Sequence, residues 1–408
     1  MENKKFSKYA MNEDNDQYYI AIQRNDGIYQ RRQDLRSEFG RDYTRIIFSQ
    51  AYRRLKHKTQ VFFAVEDDHV CTRSEHVNLV ESVSYTIANE LGLNTELTKA
   101  IAVGHDLGHA PFGHGGETIL TDIAKKHGLE KFWHEKNSLH FVDDIEILED
   151  NNHCFHNLNL TYAVRDGIIS HCGEMNQKYI QKRNEAIDLN NYERPGQYNP
   201  FTYEGCVVKM SDKIAYLARD IEDALRLNVL QDSQVEELKN KLNQLSDYQF
   251  HAINNGSIVN YFIHDVIENS NVEEGIGLSD NALTIMKEIM NFNYKNIYII
   301  KRVQVHTNYV SLILQSIFDV LYDYSSSDDM IEALERDKNL YPKLITHYLK
   351  WLDKYALVDK HERKKEYKNK GVYDFIQDSY AIPKSILDYL AGMSDVFIIQ
   401  VFNELISF

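Results

Sequence analysis

The sequence predicts an all-α protein, because prolines are scarce and apolar residues keep a helical period. Five prolines interrupt 408 residues. Leu and Ile recur at three- and four-residue spacing among Glu, Lys and Asn, which gathers them on one helix face. In chain order, a helix over 76–91 sets Val80, Val83, Ile87 and Leu91 on one stripe. A second runs over 96–106 and a third over 161–171. Pro195, Gly196, Pro200 and Gly205 make 183–205 a long surface loop. The segment 207–227 is the most amphipathic helix, with Ile214, Leu217, Ile221 and Leu225 as its apolar face. The run SSSDD at 325–329 is a second break, and the charged stretch 360–371 is a solvated loop or helix end.

Acidic residues outnumber basic ones, 61 against 46, for a net charge of -15. Coating nucleic acid needs clustered Lys and Arg to neutralise phosphates, so that role is disfavoured, although weak nucleic-acid binding stays open. A local basic pocket for a small polyphosphate also stays open. Cys71, Cys154, Cys172 and Cys206 lack C-x-x-C spacing and read as reduced thiols of a cytoplasmic protein. The N-terminal MENKKFSKYAMNEDNDQYY has no apolar core, and no run of about 18 apolar residues occurs. A soluble chain with no membrane partner is the expectation.

Chemistry concentrates in GHDLGHAPFGHGGE at 104–117, where three histidines, an Asp and a Glu sit among glycines and a proline. Glycines let the backbone approach a ligand, and imidazole with carboxylate is a mixed donor set for a divalent metal. His105 and Asp106 fall together at a helix end, with Gly108 placed to stop the helix. Upstream, TRSEH brings His76 to the start of a helix. Downstream, in KMSDKIAYLARD, Asp212, Tyr216 and Asp220 share one stripe at i, i+4 and i+8. Such a stripe is either an exposed face or a lined site. His76, His105, Asp106 and Asp212 together offer two neutral nitrogens and two carboxylates to one divalent ion.

The order H…HD…D resembles the HD superfamily of metal-dependent phosphohydrolases. The flanking pieces are similar to its dNTP triphosphohydrolase branch, often called dGTPase-like and related to the SAM-and-HD-domain dNTPase. They are RRLKHKTQV at 53–61, TRSEH at 72–76, GHDLGHAPFGHGGE at 104–117, WHEKNS at 133–138, KMSDKIAYLARDIEDAL at 209–225 and DYLAGMSD at 388–395. The resemblance implies an N-terminal segment over 1–34, a helical HD core over 35–230, and a mostly helical C-terminal region over 231–408. That last region would complete the site and the oligomer contacts. It implies metal ligation by His76, His105, Asp106 and Asp212, the metal being Mg, Mn, Fe, Co or Zn.

His114 with Glu117 resembles the family's catalytic His–acid pair, and His134 a further active-site histidine. Arg73, Lys213 and His171 resemble phosphate-contacting residues. Tyr216 would pack on the deoxyribose, Asp220 would bond its 3′-hydroxyl, and Gln60 would read the sugar from the other side. The implied reaction converts a dNTP, with dGTP one candidate, to a deoxynucleoside and tripolyphosphate. A symmetric homo-oligomer and an allosteric nucleotide are further implications.

Ala110 departs from the proline of many relatives, and 183–205 is longer and more polar than the family pattern. The stretch NYKNIYIIKR at 293–302 offers Lys295, Lys301 and Arg302 for the terminal phosphate. Plainer readings stand beside these. His109 would brace a turn, His134 beside Trp133 would be a core histidine, and Arg73 would pair at the surface with Glu75 or Glu81. Hydrolysis of another nucleotide, such as guanosine tetraphosphate or a monophosphate, and nucleotide sensing without turnover are the competing functions.

Overall fold

A computed structural model describes residues 4–27, 34–62, 67, 69–172, 177–327, 329–359 and 361–407. Among these, seventeen α-helices dominate, and strands occur only as three two-stranded pairs. The all-α expectation holds. The chain forms two compact units. The first comprises Met1–Ile47, Val65–Asp106 and Asn159–Val303; the second comprises Phe48–Ala64, Leu107–Leu158 and Gln304–Phe408. Among the described residues no single helix is long and apolar enough to cross a membrane.

In the first unit the helices Arg73–Leu91, Thr95–Gly104, Tyr162–Ser170 and Tyr203–Arg226 pack on one another. The Arg73–Leu91 helix begins three residues ahead of the periodic signal, because the Glu75 carboxylate accepts the Thr72 backbone N–H at 2.6 Å. It ends at Gly92, whose φ of 84° is left-handed. The Asn94 side chain accepts the amides of Glu96 and Leu97 and starts the next helix.

The Tyr203–Arg226 helix starts inside the segment expected as loop, since the Thr202 hydroxyl accepts the Gly205 N–H at 3.0 Å. It is central rather than one-sided. Val207, Met210, Ile214, Leu217 and Ile221 are buried, and so are Glu204, Lys209, Lys213 and Asp220. Each buried aliphatic side chain contributes about 1.5–3 kcal/mol, and the polar ones need partners from neighbouring helices.

The rest of the 183–205 segment is less of a surface loop than its composition predicts. Tyr192 and Phe201 are fully buried. Arg183 ties the segment down by bonding Asp166 and donating to the Asn199 carbonyl at 2.7 Å. The Asp166 carboxylate also accepts the Phe201 N–H at 2.7 Å. Farther on, the expected break at 325–329 is a short 3₁₀ turn, Tyr324–Ser326, before the Met330–Arg336 helix, and residue 328 lies outside the described residues.

In the second unit the Gly113–Lys126 and Ala381–Ala391 helices pack together. His140, at the end of the His134–His140 helix, is held at both ring nitrogens. Asp144 lies 2.8 Å from Nδ1 and Asp388 2.9 Å from Nε2, and Tyr373 donates its hydroxyl to the same Asp388 oxygen at 2.9 Å. Burial opposes charge on this ring, but the Asp388 and Asp144 carboxylates outweigh it and push its pKa up to about 9. The stabilisation is therefore complete below the unfolded value of about 6.5 and disappears as pH rises through the folded one. Breaking such a buried pair costs about 3–5 kcal/mol. We expect the melting-temperature gap between wild type and His140→Gln to be widest near pH 6 and to close above about pH 9. A gap independent of pH would mean that the ring acts through packing alone.

Candidate functional site

The first unit gathers the four residues expected to hold a metal. A helix crossing sets two of the rings involved. A Cβ at Gly167 would stand 2.5, 2.6 and 2.7 Å from three Ile101 side-chain atoms, and one at Gly104 2.7 Å from the tip of Ile168, so the glycines ease this approach, Gly167 most of all. The Thr95–Gly104 and Tyr162–Ser170 helices end side by side, each followed by a histidine. His105 Nδ1 lies 2.6 Å from the Ala102 carbonyl, and His171 Nδ1 lies 2.6 Å from the Ile168 carbonyl. A carbonyl only accepts, so each Nδ1 carries the proton and each Nε2 is left as a donor of electrons. The two rings meet edge to face at 4.9 Å.

His105 Nε2 lies 3.6 Å from Asp106 Oδ1 and 3.7 Å from Asp212 Oδ1, and His76 Nε2 lies 3.0 Å from that same Asp212 oxygen. The ligand atoms of His76, His105 and Asp212 all fall within 4.8 Å of one another, and so do those of His105, Asp106 and His171. Burial disfavours charge on Asp212, yet the His76 hydrogen bond and the nearby His105 and His171 rings hold its carboxyl far below the usual range. Burial likewise opposes charge on His76, and Asp212 more than compensates, raising it. Imidazole nitrogens and carboxylate oxygens converging this closely suit one divalent cation in both donor type and charge.

Arg73 is not the surface residue of the plainer reading. It is 2% exposed, and its Nη1 donates to Asp106 Oδ2 at 2.6 Å. Glu75 is occupied by the helix cap, and Glu81 pairs with Lys99 at 3.2 Å. Arg73 thus orients the Asp106 carboxylate, and its own Nε is buried without a hydrogen bond. Along the Tyr203–Arg226 helix, Lys213 and Asp220 are buried and Tyr216 is half-buried, so the Asp212–Tyr216–Asp220 stripe faces protein rather than open solvent.

Tyr298, which composition did not single out, donates its hydroxyl to Asp220. Burial first, and then the Asp220 charge, raise the Tyr298 pKa well above its ordinary value, so it stays a donor. It lies in the 293–302 stretch read for its cations. Lys295, Lys301 and Arg302 of that stretch are exposed.

The second unit gathers the remaining residues, starting from Leu107. Gly108 does not end a helix: the Thr95–Gly104 helix has already stopped, and Gly108 is absent from the left-handed positions. Its missing side chain serves contact instead, since a Cβ there would stand 2.1 Å from the Ser138 nitrogen. Asn137 Nδ2 donates to the Gly108 carbonyl at 2.6 Å, and the Gly108 N–H donates to Ser138 Oγ at 2.9 Å. WHEKNS thereby anchors the glycine turn.

His109 is buried and its ring stacks on His134 at 4.0 Å. Glu117 lies 3.1 Å from His134 Nδ1 and 3.9 Å from His114 Nδ1, so His134 takes the closer share of this carboxylate. Burial works against charge on Glu117, but both histidines hold it below the usual range. His114 itself is exposed. The Glu135 carboxylate, unremarked in the sequence, is buried with Oε2 3.5 Å from His134 Nδ1. Gln60 Oε1 is buried with no hydrogen bond.

Residues 73–217 match the family model for the HD domain. The chain is 37% identical over 293 residues to a deoxyguanosinetriphosphate triphosphohydrolase-like protein of Desulfatibacillum aliphaticivorans, covering 71% of this chain and 74% of that one. A protein of the same description from Caldanaerobacter subterraneus subsp. tengcongensis is 34% identical, covering 80% and 84%. A third, from Clostridium tetani, is 30% identical, covering 93% and 88%.

Proposed function

This chain belongs to the deoxyguanosinetriphosphate triphosphohydrolase-like family of HD-domain proteins, and on that premise we propose that it hydrolyses deoxynucleoside triphosphates to deoxynucleoside and tripolyphosphate. The observation that carries the proposal is the first unit's helix Tyr203–Arg226. One face of it offers Asp212 to the His76–His105–Asp106 group, and then Tyr216 and Asp220 one and two turns on. A substrate with its α-phosphate beside Asp212 lays its sugar along Tyr216 and Asp220, about 6 and 12 Å farther at 1.5 Å per residue.

A divalent cation held by His76, His105, Asp106 and Asp212 supplies Lewis acidity toward a phosphoryl oxygen and a more acidic water. Arg73 keeps the Asp106 carboxylate turned toward His105, Lys213 adds positive charge for a polyphosphate, and sequence likeness gives His171 a place among the phosphate contacts. Water oxygen attacks the α-phosphorus, the bond to the 5′-oxygen breaks, and that oxygen needs a proton. We assign the proton transfer to the Glu117-oriented histidines, His134 and His114. Asp220 accepts from the 3′-hydroxyl, and sequence likeness gives Gln60 a part in reading the sugar.

A 2′-hydroxyl packed against the Tyr216 ring would be crowded and unpaired, at about 1–3 kcal/mol. We therefore expect dNTPs to be hydrolysed at least about tenfold faster than NTPs, with Tyr216→Ala narrowing that ratio. The test is chromatography of each dNTP and NTP reaction in ¹⁸O-water with divalent metal added. Label in the tripolyphosphate supports attack at the α-phosphorus. Equal rates on GTP and dGTP, or a nucleoside monophosphate product, would assign the site to another nucleotide, and no turnover on any would leave a sensor.

A further inference from the structure

The DYLAGMSD run at 388–395 has no part in the chemistry above, yet both of its terminal carboxylates are buried in the second unit. Asp388 serves His140 and Tyr373. Asp395 serves the site residues. Its Oδ1 accepts the Phe112 N–H at 2.9 Å, and its Oδ2 accepts the Thr59 N–H at 3.0 Å and the Thr59 hydroxyl at 2.8 Å.

Thr59 is the residue before Gln60. Phe112 is the residue before Gly113, where the helix carrying His114 and Glu117 begins. Phe112 has a left-handed φ of 60°, and Gly113 follows at 58°. A buried aromatic residue holds such a conformation only where its surroundings impose it. The neighbouring Lys58 repeats the link. It is 2% exposed, and its ammonium donates to the His109 carbonyl and, at 2.9 Å, to the Ala391 carbonyl.

We infer that Asp395 is a positioning residue for the reaction, tying Gln60 and the strained turn before His114 to one carboxylate. Its two oxygens take three donors from two separate segments. Asn at this place would turn an N–H₂ toward one group of donors. A mere helix-start role would not involve Phe112, because Ser394 already caps the Asp395–Ile406 helix by accepting the Phe397 N–H at 3.3 Å. The kinetic half of this inference rests on the proposed function; the structural half does not.

The test uses the full chain with Asp395→Asn, Thr59→Val and Thr59→Ser, measuring amide exchange over 108–118, bound metal, kcat and KM. Asp395→Asn should speed exchange in that segment by about tenfold or more, while exchange over 73–104 stays unchanged. It should lower kcat by about 10- to 100-fold with KM moved less than about threefold and metal retained. Thr59→Val should fall between this variant and wild type, and Thr59→Ser, which keeps the hydroxyl, should match wild type. If Asp395→Asn does not fold, Thr59→Val, which removes a single bond, carries the same comparison. Unchanged exchange at 108–118, or a lowered melting temperature with unchanged kcat, overturns the inference. If wild type cleaves no dNTP, the proposed function has failed, and the exchange measurement still decides the positioning role.

Discussion

Asp212→Ala is expected to abolish dNTP turnover and strip the protein of metal while leaving its helices intact. Asp212 Oδ1 is the atom on which the group converges, 3.0 Å from His76 Nε2 and 3.7 Å from His105 Nε2. Without it, the two rings keep Asp106 as their sole carboxylate from the set, and one Asp106 oxygen is already occupied by Arg73. Lewis-acid assistance is worth several kcal/mol, so its loss should cost about 10³-fold or more in rate at about 1.4 kcal/mol per decade. The fold should survive, because the Tyr203–Arg226 helix is held by the buried Val207, Met210, Ile214, Leu217 and Ile221. Elemental analysis, circular dichroism and turnover measured on one preparation test all three parts. Full metal occupancy with a near-normal rate would remove Asp212 from the metal set.

Much of the first unit was legible in the sequence because its chemistry rides on helices. A period of about 3.6 residues is enough to place Asp212, Tyr216 and Asp220 on one face and His76 at a helix start. Partners contributed by distant segments leave no such trace. Nothing in the spacing says that Arg73 reaches Asp106 rather than Glu75, or that Tyr298 closes on Asp220, because each pairing depends on how two helices pack. His171 shows the same limit: its equivalence to His105 follows from the Gly104 and Gly167 crossing, visible only once the helices lie together. Gly108 was legible as a glycine that matters but not for its reason, since the signal for a helix stop and for a close backbone approach is the same residue. In DYLAGMSD the carboxylates were part of a recognisable pattern, but no local periodicity connects Asp395 to Phe112, 283 residues away.

The pairing of Glu117 yields a result that separates two arrangements of the acid–base group. Sequence likeness couples Glu117 to His114, whereas in the second unit the carboxylate lies 3.1 Å from His134 and 3.9 Å from His114. His134 is also fixed from the far side by the His109 ring stacked at 4.0 Å, while His114 is exposed and freer to turn. A carboxylate that orients an imidazole raises its basicity and fixes its tautomer, and loses that value when the ring is gone. We therefore expect Glu117→Ala, His134→Ala and His114→Ala each to lower kcat by about 10²–10⁴ with metal retained. Glu117→Ala combined with His134→Ala should be scarcely worse than the poorer single variant, because the two act as a unit. Glu117→Ala combined with His114→Ala should fall between that result and full multiplication, since the carboxylate faces His114 at the longer distance. The six rates, measured at saturating dNTP, decide the matter. Multiplicative losses for Glu117 with His134, beside strong coupling of Glu117 with His114, would restore the His114–Glu117 pair as the working one.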